Sequence, residues 1–120
     1  MSYTPLKLIE NLTVKDINLT SSVTMTTTED PVVVDEFPIG TYRSAKYETQ
    51  VSDGTNFQIS EIRVLHDGAL AYMTEYGVIT NASLMGTFVV TISNGLLQLM
   101  FTPVDASSKT IKIARSTITI

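Results

Sequence analysis

The chain has no cysteine and no tryptophan, and its 120 residues include a single histidine, His66. Without cysteine there is neither a disulfide framework nor a thiolate metal site. One histidine cannot supply the three or four nitrogen and sulfur ligands that a zinc site takes. Basic residues are scarce too: eight Lys and Arg against twelve Asp and Glu give a net charge of −4. They are scattered singly, which speaks against nucleic acid as a partner, because neutralising phosphates takes clustered cations. No run approaches the roughly 20 apolar residues of a membrane-spanning helix, so no membrane partner is expected. The opening MSYTPLKLIENLTV lacks the charged start and continuous apolar stretch of a secretory leader, and synthesis in a cytoplasm is the expectation.

What remains is the composition of a folded, Thr-rich domain. The apolar share is 43% and the charged share only 17%, below the usual level of about 25%. Threonine tolerates the pleated backbone while staying polar, which suits strands. At this length one domain is expected.

Periodicity supports strands almost throughout. Along Tyr42 to Ser52, Ala45, Tyr47 and Val51 alternate with Ser44, Glu48 and Gln50, the pattern of a half-buried strand. Phe88, Val90 and Ile92, then Leu97, Leu99 and Phe101, then Ile111 and Ile113, repeat it. Asp53-Gly54, Asp67-Gly68 and Asn94-Gly95 each offer the positive φ values of a two-residue type I′ hairpin turn. Between the first two turns, Phe57 and Ile59 fall out of phase with Ile62 and Val64, which predicts a β-bulge or a strand crossing between sheets. Tyr76-Gly77 to Asn81 reads as a loop. The predicted fold is all-β: an antiparallel β-sandwich or small barrel of about seven or eight strands joined by tight hairpins.

The first 30 residues differ, with isolated apolar side chains among Ser, Thr and Asn. They predict an extended N-terminal arm over 1–30 that ends in a strand at 21–28, ahead of a sandwich body over 31–120. A short helix through Leu8, Ile9 and Leu12 is the alternative at the very start.

Chemistry is hard to find. His66 beside Asp67 resembles the imidazole–carboxylate part of a hydrolase triad, but no nucleophile elbow accompanies it. Asp67 has a sufficient reason to be there in the turn. Glu61 and Glu75 would face each other if the strands around Asp67-Gly68 pair in register, and paired carboxylates hydrolyse glycosides. Yet Glu61 alternates with Arg63 as a surface ion pair would. The Asp-x-Asp-x-Asp-Gly spacing of a calcium loop is absent, as is a phosphate-binding glycine loop. No catalytic residue, metal or cofactor is predicted. Tyr42, Tyr47 and Tyr72 fit cross-strand packing better than ligand contact.

The segments Tyr42–Tyr47 (YRSAKY), Glu61, His66–Gly68 (HDG), Thr74–Gly77 (TEYG) and Gly86–Phe88 (GTF) resemble, in this order, a module of virion structural proteins of tailed bacteriophages, particularly cyanophages. The resemblance runs from about residue 32 to the C-terminus. It departs at Leu84-Met85-Gly86, one residue longer than the commoner Leu-Gly. It implies a non-enzymatic particle component located in the virion. With the arm, it leads to the expectation of a capsid decoration or cement protein whose partner is the major capsid protein or another virion protein. Leu6, Leu8, Ile9, Leu12, Val14 and Ile17 of the arm would make the contact, with Ile118 and Ile120 at a C-terminal edge meeting a neighbouring subunit in a cyclic homo-oligomer such as a trimer. Two alternatives stand beside it. One is a tail, neck, baseplate or fibre component. The other is a carbohydrate-binding adhesion module, against which the lack of tryptophan counts.

Overall fold

The computed structural model describes residues 11–120. Leu6, Leu8 and Ile9 lie outside the described residues. Nine strands account for most of the rest: β1 (Asn11–Val14), β2 (Ile17–Thr26), β3 (Val32–Pro38), β4 (Tyr42–Ser52), β5 (Phe57–His66), β6 (Ala71–Thr80), β7 (Gly86–Ser93), β8 (Leu96–Pro103) and β9 (Lys109–Thr119). All pair antiparallel, in a six-stranded sheet of order β1-β2-β9-β4-β5-β6 and a three-stranded sheet of order β3-β8-β7. The all-β expectation holds, as two sheets rather than a closed barrel.

The core lies between the sheets and is filled by the residues whose alternation marked them. Tyr47, Val51, Ile62 and Ile111 come from the larger sheet, and Phe37, Leu97, Leu99 and Phe101 from the smaller, all with almost no exposed surface. The Phe88 and Phe101 rings pack at 4.9 Å between centroids, tilted by 53°. Gly86 starts β7 where the chain presses on that ring: a Cβ there would stand 2.3 Å from Phe101 Cζ and 2.5 Å from the Thr102 carbonyl oxygen.

A charged tie crosses the core. A bulge at Val34, between the pairs Val33–Met100 and Asp35–Leu99, shifts β3 by one residue and turns Asp35 inward. There it accepts a hydrogen bond from Arg115 Nη1 of β9 at 2.8 Å and another from the Tyr47 hydroxyl of β4 at 3.0 Å. Arg115 also donates to the Glu36 carbonyl at 2.8 Å, and its guanidinium lies 5.7 Å from the Phe37 ring centre. Burial pushes the Asp35 carboxyl above its ordinary range despite the opposing pull of Arg115. The Tyr47 hydroxyl is pushed up by burial and by the Asp35 charge.

Of the segment predicted as an arm, residues 11–26 form the hairpin β1–β2, and β2 pairs with β9 from Ile17–Ile118 to Thr26–Lys109. The strand expected at 21–28 begins earlier, at Ile17. The hairpin turn is Lys15-Asp16, with Lys15 at φ 51°. No helix occurs among the described residues, Leu12 included.

Asn94-Gly95 is the two-residue turn expected: Ser93 pairs with Leu96, and both turn residues have positive φ, 51° and 77°. Asp53-Gly54 and Asp67-Gly68 are not. Each opens a four-residue loop, since Ser52 pairs with Phe57 and His66 with Ala71. In each, Gly alone has positive φ, and the Asp carboxylate accepts the two backbone N–H groups that follow Gly. Asp53 Oδ1 takes Thr55 and Asn56 at 3.0 and 2.7 Å. Asp67 Oδ1 takes Ala69 and Leu70 at 2.9 and 2.8 Å. Those donors hold both carboxyls below their ordinary range.

β5 shows no phase shift. It alternates regularly, so Phe57 and Ile59 face outward and Ile62 and Val64 inward. The bulge is in its partner, where Glu61 pairs with Tyr76 but Ile59 with Ile79. Gly77, at φ 64°, accommodates the extra residue. β6 therefore continues through Thr80 where a loop was expected.

Candidate functional site

The three-stranded sheet covers one face of the six-stranded sheet. The other face is bare among the described residues, and register decides what it presents. Cross-strand neighbours line up in rows running across the strands. The first row reads Val14, Ile17, Ile118, Ser44, Leu65, Tyr72. Next come Leu12, Leu19, Ser116, Lys46, Arg63, Thr74. The third holds Ser21, Ala114, Glu48, Glu61, Tyr76, and the fourth Val23, Lys112, Gln50, Ile59, Ile79.

Two properties of this face stand out physically. It is rich in exposed apolar side chains, Val23 keeping 61% of its surface, Ile79 63% and Tyr72 51%. Its charges are ordered: Lys46 stands directly opposite Arg63 and Glu48 directly opposite Glu61. Like charges so placed repel. The one ion pair that offsets this is diagonal, Lys46 Nζ to Glu61 Oε1 at 3.8 Å; both side chains are exposed, so it contributes under about 1 kcal/mol.

Between the third and fourth rows runs a groove of about 610 Å³. Ser21, Ala114, Glu48 and Glu61 form one wall, Val23, Lys112, Gln50 and Ile59 the other, and Gly77 is at the end. It exists because β9 carries the small Ala114 in the middle of the sheet. Smaller depressions of about 400 and 260 Å³ flank it, beside Arg63, Leu65 and Tyr72 and beside Leu19, Lys46 and Ser116.

The candidates from sequence are distributed as follows. Leu12, Val14, Ile17 and Ile118 lie together on this bare face, all exposed. β9 is no edge: β2 and β4 pair with it on both sides, so its backbone has no strand-pairing capacity left for a neighbour. Ile120 lies just past β9, its N–H donating to the Thr41 carbonyl at 3.1 Å. Glu61 and Glu75 do not converge, because adjacent register positions put them on opposite faces. Glu61 is opposite Tyr76, while Glu75 is opposite Ile62 and accepts from Ser60 Oγ at 2.7 Å. His66 is buried with both ring nitrogens on backbone: Nδ1 accepts from the Gly68 N–H at 3.0 Å, so Nε2 carries the proton to the Tyr42 carbonyl at 2.6 Å. No group of three or more metal-ligating side chains forms among the described residues. The ordered charges and the groove escaped the sequence reading because both depend on register; their only trace was the polar alternation along β4.

Neither a protein-family model nor a curated protein matches the sequence. Solved structures do match in fold. A tailspike protein, gp49, of the Acinetobacter baumannii bacteriophage Fri1, described as a capsular polysaccharide depolymerase, superposes with a TM-score of 0.55 at 13% identity, over 93% of this chain and 20% of that one. The tailspike protein of Acinetobacter phage vB_ApiP_P1 gives 0.51 at 16% identity, over 99% of this chain and 25% of that one. At such identities the likeness is one of fold. The chain spans a fifth to a quarter of the length of these tailspikes.

Proposed function

We propose that this chain is a non-enzymatic structural module of a phage tail, of the kind found within tailspikes, and that it joins its assembly through the bare face of the six-stranded sheet. The observation that carries the reading is that face itself. A lone soluble domain rarely leaves so many large apolar side chains uncovered on one sheet face, here mainly in two bands on either side of the charged rows, and such patches mark contact sites. The fold shared with tailspike segments supports a tail location over the head shell. Head decoration through the first 30 residues, expected from sequence, remains the competing placement within a virion.

A second reading is favoured by the groove. Glu48, Gln50, Glu61 and Lys112 offer donors and acceptors for sugar hydroxyls beside apolar Ile59, and the Fri1 tailspike is described as acting on capsular polysaccharide. In that reading the module holds a polysaccharide rather than cutting it.

Incorporation into particles tests the proposal. Leu19→Glu or Ile59→Glu on the bare face should reduce incorporation strongly, while Val89→Glu on the opposite, three-stranded side should not. Equal incorporation of all three variants refutes it. Loss of capsular polysaccharide binding in Glu48→Ala, with incorporation intact, selects the second reading.

A further inference from the structure

We infer that the partner seated on this face is a second copy of the same chain, related by a two-fold axis. The inference rests on the reading of the face as a structural contact. Its warrant is the order of the charges. The cationic pair Lys46–Arg63 and the anionic pair Glu48–Glu61 are consecutive rows on the same two strands. A two-fold axis lying across the strands, midway between these rows, carries each row onto the other while keeping every strand over its own counterpart. Lys46 then faces Glu48 of the second copy, Arg63 faces its Glu61, and both contacts occur twice, as an isologous interface demands.

The same operation, with no further adjustment, exchanges the first and fourth rows. Ile17 meets the second copy's Val23, Leu65 its Ile59, and Tyr72 its Ile79. All six are exposed in the single chain. Ile118 meets Lys112, whose methylene stem lies along apolar surface while its ammonium reaches the rim. Repulsion within each row, unfavourable in the single chain, becomes attraction between chains, because each like-charged pair gains opposite partners. The two sheets would stack as sandwiches do, about 10 Å apart. Five strand spacings of about 4.8 Å by a strand length of about 30 Å give roughly 700 Å² per copy, close to the roughly 800 Å² of a standard interface.

The test uses two variants whose charges fail alone and succeed together. Lys46→Glu with Arg63→Glu makes both rows anionic; Glu48→Lys with Glu61→Lys makes both cationic. Sedimentation velocity on the full chain should show a wild-type dimer, monomers for each double variant, and a restored heterodimer in their equimolar mixture. Circular dichroism melts of each variant verify that the fold is kept. A wild-type monomer or trimer, or a mixture that stays monomeric, overturns the inference. Particle incorporation of the same variants separates this from the broader reading. Incorporation lost while the wild type is monomeric overturns the inference and leaves the face as a contact for a different protein.

Discussion

Arg115 of β9 and Asp35 of β3 meet at 2.8 Å across the interior, one from each sheet, with both side chains largely shielded from water. Neither sheet alone supplies the pair, and a bulge is spent to aim Asp35 at it. Removing one partner strands a buried charge. Asp35→Ala should therefore lower unfolding free energy by about 3–5 kcal/mol, whereas Asp35→Leu with Arg115→Met should cost much less. Urea unfolding of the three variants checks this; equal losses would show that packing, not charge, sets the cost.

Gly86 is a position where only hydrogen fits. Its missing Cβ would meet the Phe101 ring and, at 2.5 Å, the backbone oxygen of Thr102. A ring can shift but a paired strand's carbonyl cannot. Gly86→Ala should cost about 1–3 kcal/mol as an overpacking change, and Phe101→Leu should not rescue it. A melting temperature equal to the wild type would show that the close approach at Gly86 constrains nothing.

His66 ties the start of β4 to the loop after β5 through backbone groups alone. His66→Ala leaves the Gly68 N–H and the Tyr42 carbonyl without their partner. Both bonds are part-buried, and the net loss of such a bond costs about 1 kcal/mol. Amide exchange should quicken at Gly68 ahead of β5 and β6. Unchanged protection there would mean the bond is of no consequence.

The loop after β8 wraps the buried ammonium of Lys109. Asp105 Oδ1 approaches it at 2.5 Å and Ser107 Oγ at 3.0 Å. Hydrogen bonds from Lys109 and Ser107 hold the Asp105 carboxyl down at about 2 against an ordinary 3.8. A carboxyl lowered by folding stabilises above its unfolded value, and that contribution fades as pH falls through the folded one. The stability gap between wild type and Asp105→Asn should be constant above pH 5 and close between about pH 4 and pH 2. A gap independent of pH across that window would contradict the assignment.

Much of this fold can be read in the alternation of β4, β7, β8 and β9, because strands buried on one face must place apolar side chains at every second residue. Alternation says nothing about which side a second sheet covers. Phe57 and Ile59 looked like core out of phase with Ile62, yet they are regular outward positions on a face the smaller sheet never reaches. β9 looked like an edge because it ends the chain, whereas pairing placed it in the middle. Asp-Gly proved ambiguous between a two-residue turn and an Asp-capped four-residue loop, since in both Gly takes the positive φ. The β1–β2 hairpin was hidden because Lys15, not Gly, turns it. The charge order of the candidate site needed register, which no single strand encodes.

A chain seated in a phage tail, as proposed, has its bare sheet face covered. Electron cryomicroscopy of particles that carry it, with the chain labelled, tests both parts in one map. Density for the chain is expected at the tail alone, with Lys46, Glu48, Glu61 and Arg63 beneath a neighbouring molecule. Density repeated over the icosahedral shell, or a tail-bound chain whose six-stranded sheet faces open solvent, would contradict that expectation.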